Sequence, residues 1–98
     1  MPQYLVLIHG NARTTPSATE WEQFFTAAQR SGLFRGGSEI GDRTVVGDAG
    51  SRESTDHIVG FMRFDTEDEQ SLLDLLNNHP VVQHGGSIEC CEMPKHAA

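Results

Sequence analysis

Residues 77 to 91, NNHPVVQHGGSIECC, gather two histidines and two cysteines around a proline and a glycine pair. Imidazole and thiolate are the usual ligands of zinc, but a zinc site needs three or four such donors converging at about 2.0 to 2.3 Å. His79 and His84 straddle Pro80, and Cys90 and Cys91 are adjacent, so on a strand the two thiols point to opposite faces. Neither a metal site nor a disulfide between the pair is expected. Glutamates rather than basic residues flank the cysteines, so both thiols read as packing groups rather than nucleophiles. His84, followed by Gly85 and Gly86, reads as an exposed turn residue. GGSEIG at 36 to 41 lacks the Lys-Ser/Thr of a phosphate-binding loop.

Four strands and two helices must position these groups. QYLVLIH, residues 3 to 9, is apolar without clear alternation, as in a strand buried on both faces, which makes it central to a sheet. Thr15 or Ser17 can cap the first helix, Pro16 suits its first turn, and Ser17-x-x-Glu20 matches a capping box. Trp21, Phe24, Phe25 and Ala28 fall on one stripe that would lie on the sheet, and Gly32 ends this helix. LFRGGSEI supplies a second strand in which Gly36 and Gly37 mark a bulge or a close approach. Residues 41 to 56 form a loop with room for a short strand at Thr44 to Val46, and HIVGFMRF is the third strand. TEDE at 66 to 69 matches a second capping box, leading into a helix buried through Leu72, Leu73, Leu75 and Leu76 and closed by Pro80. SIECCEM is the fourth strand, and residues 94 to 98 are expected to fray.

The order β-α-β-β-α-β predicts an α+β, ferredoxin-like domain over residues 1–98, with a four-stranded antiparallel sheet and both helices on one face. The other face then needs cover. Side-chain alternation assigns to it His9, Arg35, Glu39, His57, Arg63 and Glu89, mixed with Leu, Val and Phe. Such a mixture suits a dimer seam with rim salt bridges, or a pocket for a small anion or carbonyl compound anchored by Arg35 or Arg63. His9, Arg35, Glu39, His57 and Arg63 are therefore the candidate substrate-binding residues.

Bulk properties narrow the partners. In 98 residues, 37% hydrophobic and 21% charged, a single core is modest, so a homodimer is expected. Seven basic against fourteen acidic residues, a formal charge of −7, disfavour nucleic acid. No apolar run approaches the roughly 20 residues of a membrane span, and a cytoplasmic location is the default expectation.

YLVLIHG at the start, SGLFRGGSEIG after the first helix, GFMRFDTEDE into the second, and NNHPVVQHGGSIECCEMP at the end together resemble the YCII-related family, relatives of the dimeric α/β barrel proteins. The resemblance covers most of the chain outside the 41 to 56 loop. A longer branch of that family carries Asp-Gly-Pro-Phe in this loop; here only GDAG stands there, closer to the shorter branch. The resemblance implies protomers paired sheet face to sheet face and cofactor-free lyase or isomerase chemistry of the muconolactone kind. It also implies an acid/base pair of a histidine on the first helix and an aspartate before the proline. Those positions fall at Glu20 and His79, so the catalytic pair would be Glu20 and His79 with the residue types exchanged. The departure leaves open whether the chain is an enzyme or a non-catalytic dimeric binding or accessory module.

Overall fold

The computed structural model describes residues 1–95. Strands β1 (Gln3–His9), β2 (Phe34–Glu39), β3 (Ile58–Asp65) and β4 (Ile88–Met93) form one antiparallel sheet in the order β2-β3-β1-β4. Helices α1 (Ala18–Arg30), α2 (Glu69–Leu76) and α3 (Pro80–Gln83) complete an α+β arrangement compatible with a ferredoxin-like fold. β1 is an interior strand, as its unbroken apolar run predicts. No helix among the described residues is long and apolar enough to cross a membrane.

One face of the sheet carries the core. Tyr4, Val6 and Ile8 of β1 alternate inward and meet Met62 and Phe64 of β3, Phe24 and Ala28 of α1, Leu72 and Leu76 of α2, and Val81 of α3. Cys90 packs against this cluster from β4, while Cys91, opposite Leu5, lies on the other face; both thiols are free. Leu73 and Leu75 are only half-buried, so Leu72 and Leu76 carry the burial of α2.

One local reading is resolved and two are corrected. Of the two candidate caps, Ser17 caps α1, with its capping box to Glu20 complete, and Ser31 and Gly32 (φ +75°) end the helix. Asp68 rather than Thr66 caps α2: its carboxylate accepts the Gln70 N–H and the Ser71 hydroxyl, while buried Thr66 makes the turn before it. Pro80 does not close α2, which already ends at its C-cap Asn77; it opens α3 at the first helical position, with His79 as N-cap.

The glycine pair of β2 has a larger effect. Gly36 takes φ +109° and the register slips between Phe34 and Gly37, a bulge that lets Gly37 approach β3 so closely that a Cβ there would lie 2.3 Å from the Phe61 carbonyl oxygen. Beyond the bulge Ser38 faces Phe61 and Glu39 faces Gly60, so Gly37 and Glu39 fall on the helix side of the sheet, not on the open face expected from unbroken alternation. The expected strand at Thr44 to Val46 is absent; the exposed 41–57 segment contains a single 3-10 turn, Ala49–Ser51, capped by Asp48, and Arg43 ties it back to Asp56 and the Ile58 carbonyl. Pro94 and Lys95 follow β4 without regular structure, and the rest of the tail expected to fray lies outside the described residues.

Candidate functional site

α3 is four residues long and has a histidine at each end, His79 as its N-cap and His84 as its C-cap. His84 is the better connected. Its Nε2 lies 2.6 Å from Glu20 Oε2 and its Nδ1 2.6 Å from Thr14 Oγ1. The other carboxylate oxygen of Glu20 accepts the Ser17 N–H at 3.1 Å, so the capping box of α1 also fixes the carboxylate that holds the ring. That N–H first, and the His84 contact second, keep the Glu20 carboxyl below the usual carboxylate range. An ionised Glu20 only accepts hydrogen bonds, so in the neutral ring the proton sits on Nε2 and Nδ1 is left to accept from the Thr14 hydroxyl. A hydroxyl, an imidazole and a carboxylate stand in line with the polarity of a general-base relay.

Backbone contacts place the three groups. The His84 carbonyl accepts the Arg13 N–H at 2.8 Å, and Asn11 pairs with the backbone N–H and hydroxyl of Ser87, each at 2.9 Å. The loop between β1 and α1 is thereby stitched to the turn between α3 and β4. Gly86 permits the approach: a Cβ there would lie 2.6 Å from Val81 Cγ1 and 2.7 Å from Asn11 Oδ1. Gly85, at φ +84°, lies beneath the stem of Arg13.

Thr14 also lines a cleft of about 490 Å³ between α1 and the β2–β3 side of the sheet. Trp21 and Phe25 form its α1 wall, Ile8 and Met62 its sheet wall, and His9 and Glu39 border it. This explains why Phe25, on the stripe expected to be core, is 38% exposed: the stripe divides, with Phe24 and Ala28 entering the core and Trp21 and Phe25 facing the cleft. Among its described lining residues there is no Lys or Arg, and Glu39 brings the acidic charge.

His79 is different in kind. Its side chain is wholly buried, with its ring centroid 5.1 Å from Trp21 and 4.8 Å from Phe24 in edge-to-face contacts. Nδ1 accepts the Val81 N–H at 3.1 Å, which puts the ring proton on Nε2, where it has no hydrogen-bond partner among the described residues. Burial lowers its pKa to about 4, so the ring is neutral at neutral pH. The expected Glu20–His79 pair is not formed: Glu20 is engaged by His84 and Ser17, and His79 acts as an N-cap. Helix α3 is the reason, because it turns His79 inward and carries the chain on so that His84 arrives beside Glu20.

The remaining expected binding residues lie apart from the cleft, on the open face. Arg35 pairs with Asp65 at 3.3 Å and donates to the Gly32 and Phe34 carbonyls, and Arg63 donates to the Arg35 carbonyl at 3.3 Å. His57 lies 5.3 Å from the His9 ring, and His9 Nε2 is 2.5 Å from Glu89 Oε1. Arg35 and Arg63 thus bond to groups outside the cleft, and of the five only His9 and Glu39 touch it, Glu39 by way of the bulge. Among the described residues no three His, Cys, Asp or Glu side chains converge to hold a metal ion. Thr14 and His84 are the site residues that sequence reasoning missed. Helical spacing from the cap residue His79, with Pro80 at the first position, is the signal that points to His84. A comparison with protein-family models and with curated proteins matches nothing to this chain.

Proposed function

We propose that the chain binds a small uncharged carbonyl compound in the cleft beside Thr14 and catalyses cofactor-free proton transfer on it, with His84 as the base and Glu20 orienting the ring. The observation that carries this reading is the Thr14–His84–Glu20 line of hydrogen bonds ending at an apolar cleft wall. A carbonyl substrate fits better than a carboxylate, because Glu39 borders the cleft and the two arginines expected to anchor an anion are occupied elsewhere. Proton transfer through the Thr14 hydroxyl to Nδ1 leaves an imidazolium facing Glu20, which stabilises it. Such chemistry belongs with the lyase and isomerase activities that the YCII-related resemblance implies.

The same reading places two copies face to face through the open side of the sheet, as in a dimeric α/β barrel. Leu5, Leu7 and Phe61 form an apolar strip there among the Arg35–Asp65 and His9–Glu89 pairs. Light scattering of the wild type and of Phe61→Glu tests the pairing: a dimer that the substitution converts to monomer supports it, and a wild-type monomer contradicts it.

The chemistry is tested by a thermal-shift screen of small ketones, lactones and enol ethers. Hits are then followed by NMR for exchange of acidic C–H protons in deuterated buffer. Stabilisation lost in Trp21→Ala and exchange lost in His84→Ala are the expected results. Failure of every carbonyl compound to stabilise the chain would favour a dimeric accessory module in which the open face serves only to pair.

A further inference from the structure

We infer that Thr14 is a nucleophile: its hydroxyl attacks small uncharged esters held in the cleft and carries the acyl group before water releases it. The inference rests on His84 being the base proposed above and adds a covalent step and a substrate class that proton transfer alone does not require.

Several hydroxyls stand at or near this cleft, Thr15 and Ser38 among them, but Thr14 is the one bonded to the imidazole. Its bond to Nδ1 directs the hydroxyl proton to the ring, and the Glu20 contact at Nε2 fixes the ring in the tautomer that can accept it. The bond is not needed as a staple. Two other contacts already tie this loop to the α3–β4 turn, the Arg13 N–H to the His84 carbonyl and the Asn11–Ser87 pair. Thr14 itself is exposed, so its oxygen is open to a ligand in the cleft.

The atoms balance without a cofactor. Thr14 Oγ1 forms a bond to the carbonyl carbon as its proton passes to His84 Nδ1. Collapse of the tetrahedral intermediate breaks the carbon–oxygen bond to the alcohol, which leaves with that proton. A water molecule then attacks the acyl carbon, giving one proton to Nδ1, and the second collapse returns the proton to Thr14 as the carboxylic acid departs. The acyl group faces Trp21, Phe25 and Met62, which favours a short aliphatic or single-ring acyl chain. Glu39 at the border repels the carboxylate product and so favours its release.

The test uses p-nitrophenyl butyrate as an activated ester, with p-nitrophenol release followed optically and acylated peptides located by mass spectrometry after acid quench. The wild type is expected to carry the butyryl group on Thr14. Thr14→Val is expected to lose that label, Thr14→Ser to restore a label at the same position, and His84→Ala to slow acylation roughly 100-fold or more. Circular dichroism of each variant separates loss of label from loss of fold, and the Thr14→Ser label guards against a Thr14→Val chain that does not fold. No label, a label on other residues only, or equal p-nitrophenol release by folded Thr14→Val would overturn the inference. Butyrylation of Thr14 without carbonyl exchange would overturn the proton-transfer reading alone, and exchange without butyrylation would overturn the nucleophile alone.

Discussion

His79 and His84 cap the two ends of one short helix, yet only one of them has the surroundings of an acid/base group. In its neutral form each ring uses Nδ1 as an acceptor and carries the proton on Nε2. The difference lies at Nε2 and in exposure. In His79 that nitrogen is buried beside aromatic rings with no partner among the described residues, and the pKa falls to about 4. In His84, whose side chain is 21% exposed, it meets a carboxylate, and the opposite nitrogen meets a hydroxyl at a cleft. A histidine becomes chemically useful when its charged form has a partner and a route to substrate, and one turn of helix decides which of the two has both.

Substitution of each histidine breaks the comparison in opposite directions. The largest expected effect is on rate: His84→Ala should lower turnover of any substrate by about 100-fold or more. The same change should alter denaturant midpoints little, because His84 is partly exposed. His79→Ala should do the reverse, lowering unfolding free energy by about 2 to 3 kcal/mol through the lost cap and the void between Trp21 and Phe24. Urea titration of both variants checks the pair.

Acid sharpens the contrast further. The folded-state pKa of His79 lies below its unfolded value, so folding favours the neutral ring. Its contribution to stability is fully present above about pH 6.5 and is lost as pH falls toward about 4, a change of about 3 kcal/mol across that window. Urea midpoints measured between these limits should fall with pH in the wild type and much less in His79→Asn, which keeps an N-cap acceptor and removes the titrating group. An equal acid slope in both proteins would show that other groups set it.

Smaller effects mark the surrounding frame. Asp68→Ala should cost about 1 kcal/mol as the lost cap of α2, read from its thermal midpoint. Arg35→Ala breaks a partly exposed ion pair with Asp65 and should change stability by less than about 1 kcal/mol. If ester or carbonyl turnover collapses with Arg35→Ala, the open face rather than the cleft houses the chemistry.

The four strands of the sheet and the two longer helices are legible because they have strong local causes, among them the apolar run of β1, the Ser17–Glu20 box of α1 and the leucines of α2. Strict alternation places Met62 and Phe64 of β3 correctly against β1, but it fails at the start of the strand, where a register shift between Ile8 and His9 sets Ile58 opposite His9. Glu39 was misplaced because one bulge shifts every later side chain of β2 to the opposite face, and glycines announce a bulge without fixing its residue count. Glu20 stood out at the sequence level as a capping residue and as a match to the family's α1 position, and the structure shows one carboxylate doing the capping while also holding a histidine. Its partner is illegible in the sequence because Pro80 reads as the end of α2. A proline that forbids one helix from continuing also favours the start of another, and only the tertiary packing of Val81 chooses between them. Thr14 lies 70 residues from His84, and no local pattern links a loop threonine to a ring that far along the chain.

The most direct measurement compares His84→Ala with His79→Asn in one assay, NMR-monitored C–H exchange of a carbonyl ligand identified by thermal shift, at a neutral pH where both variants are folded. Loss of exchange in His84→Ala with near-wild-type exchange in His79→Asn is the expected result. Exchange that survives in His84→Ala and disappears in His79→Asn would contradict the assignment of the chemistry to the ring between Thr14 and Glu20.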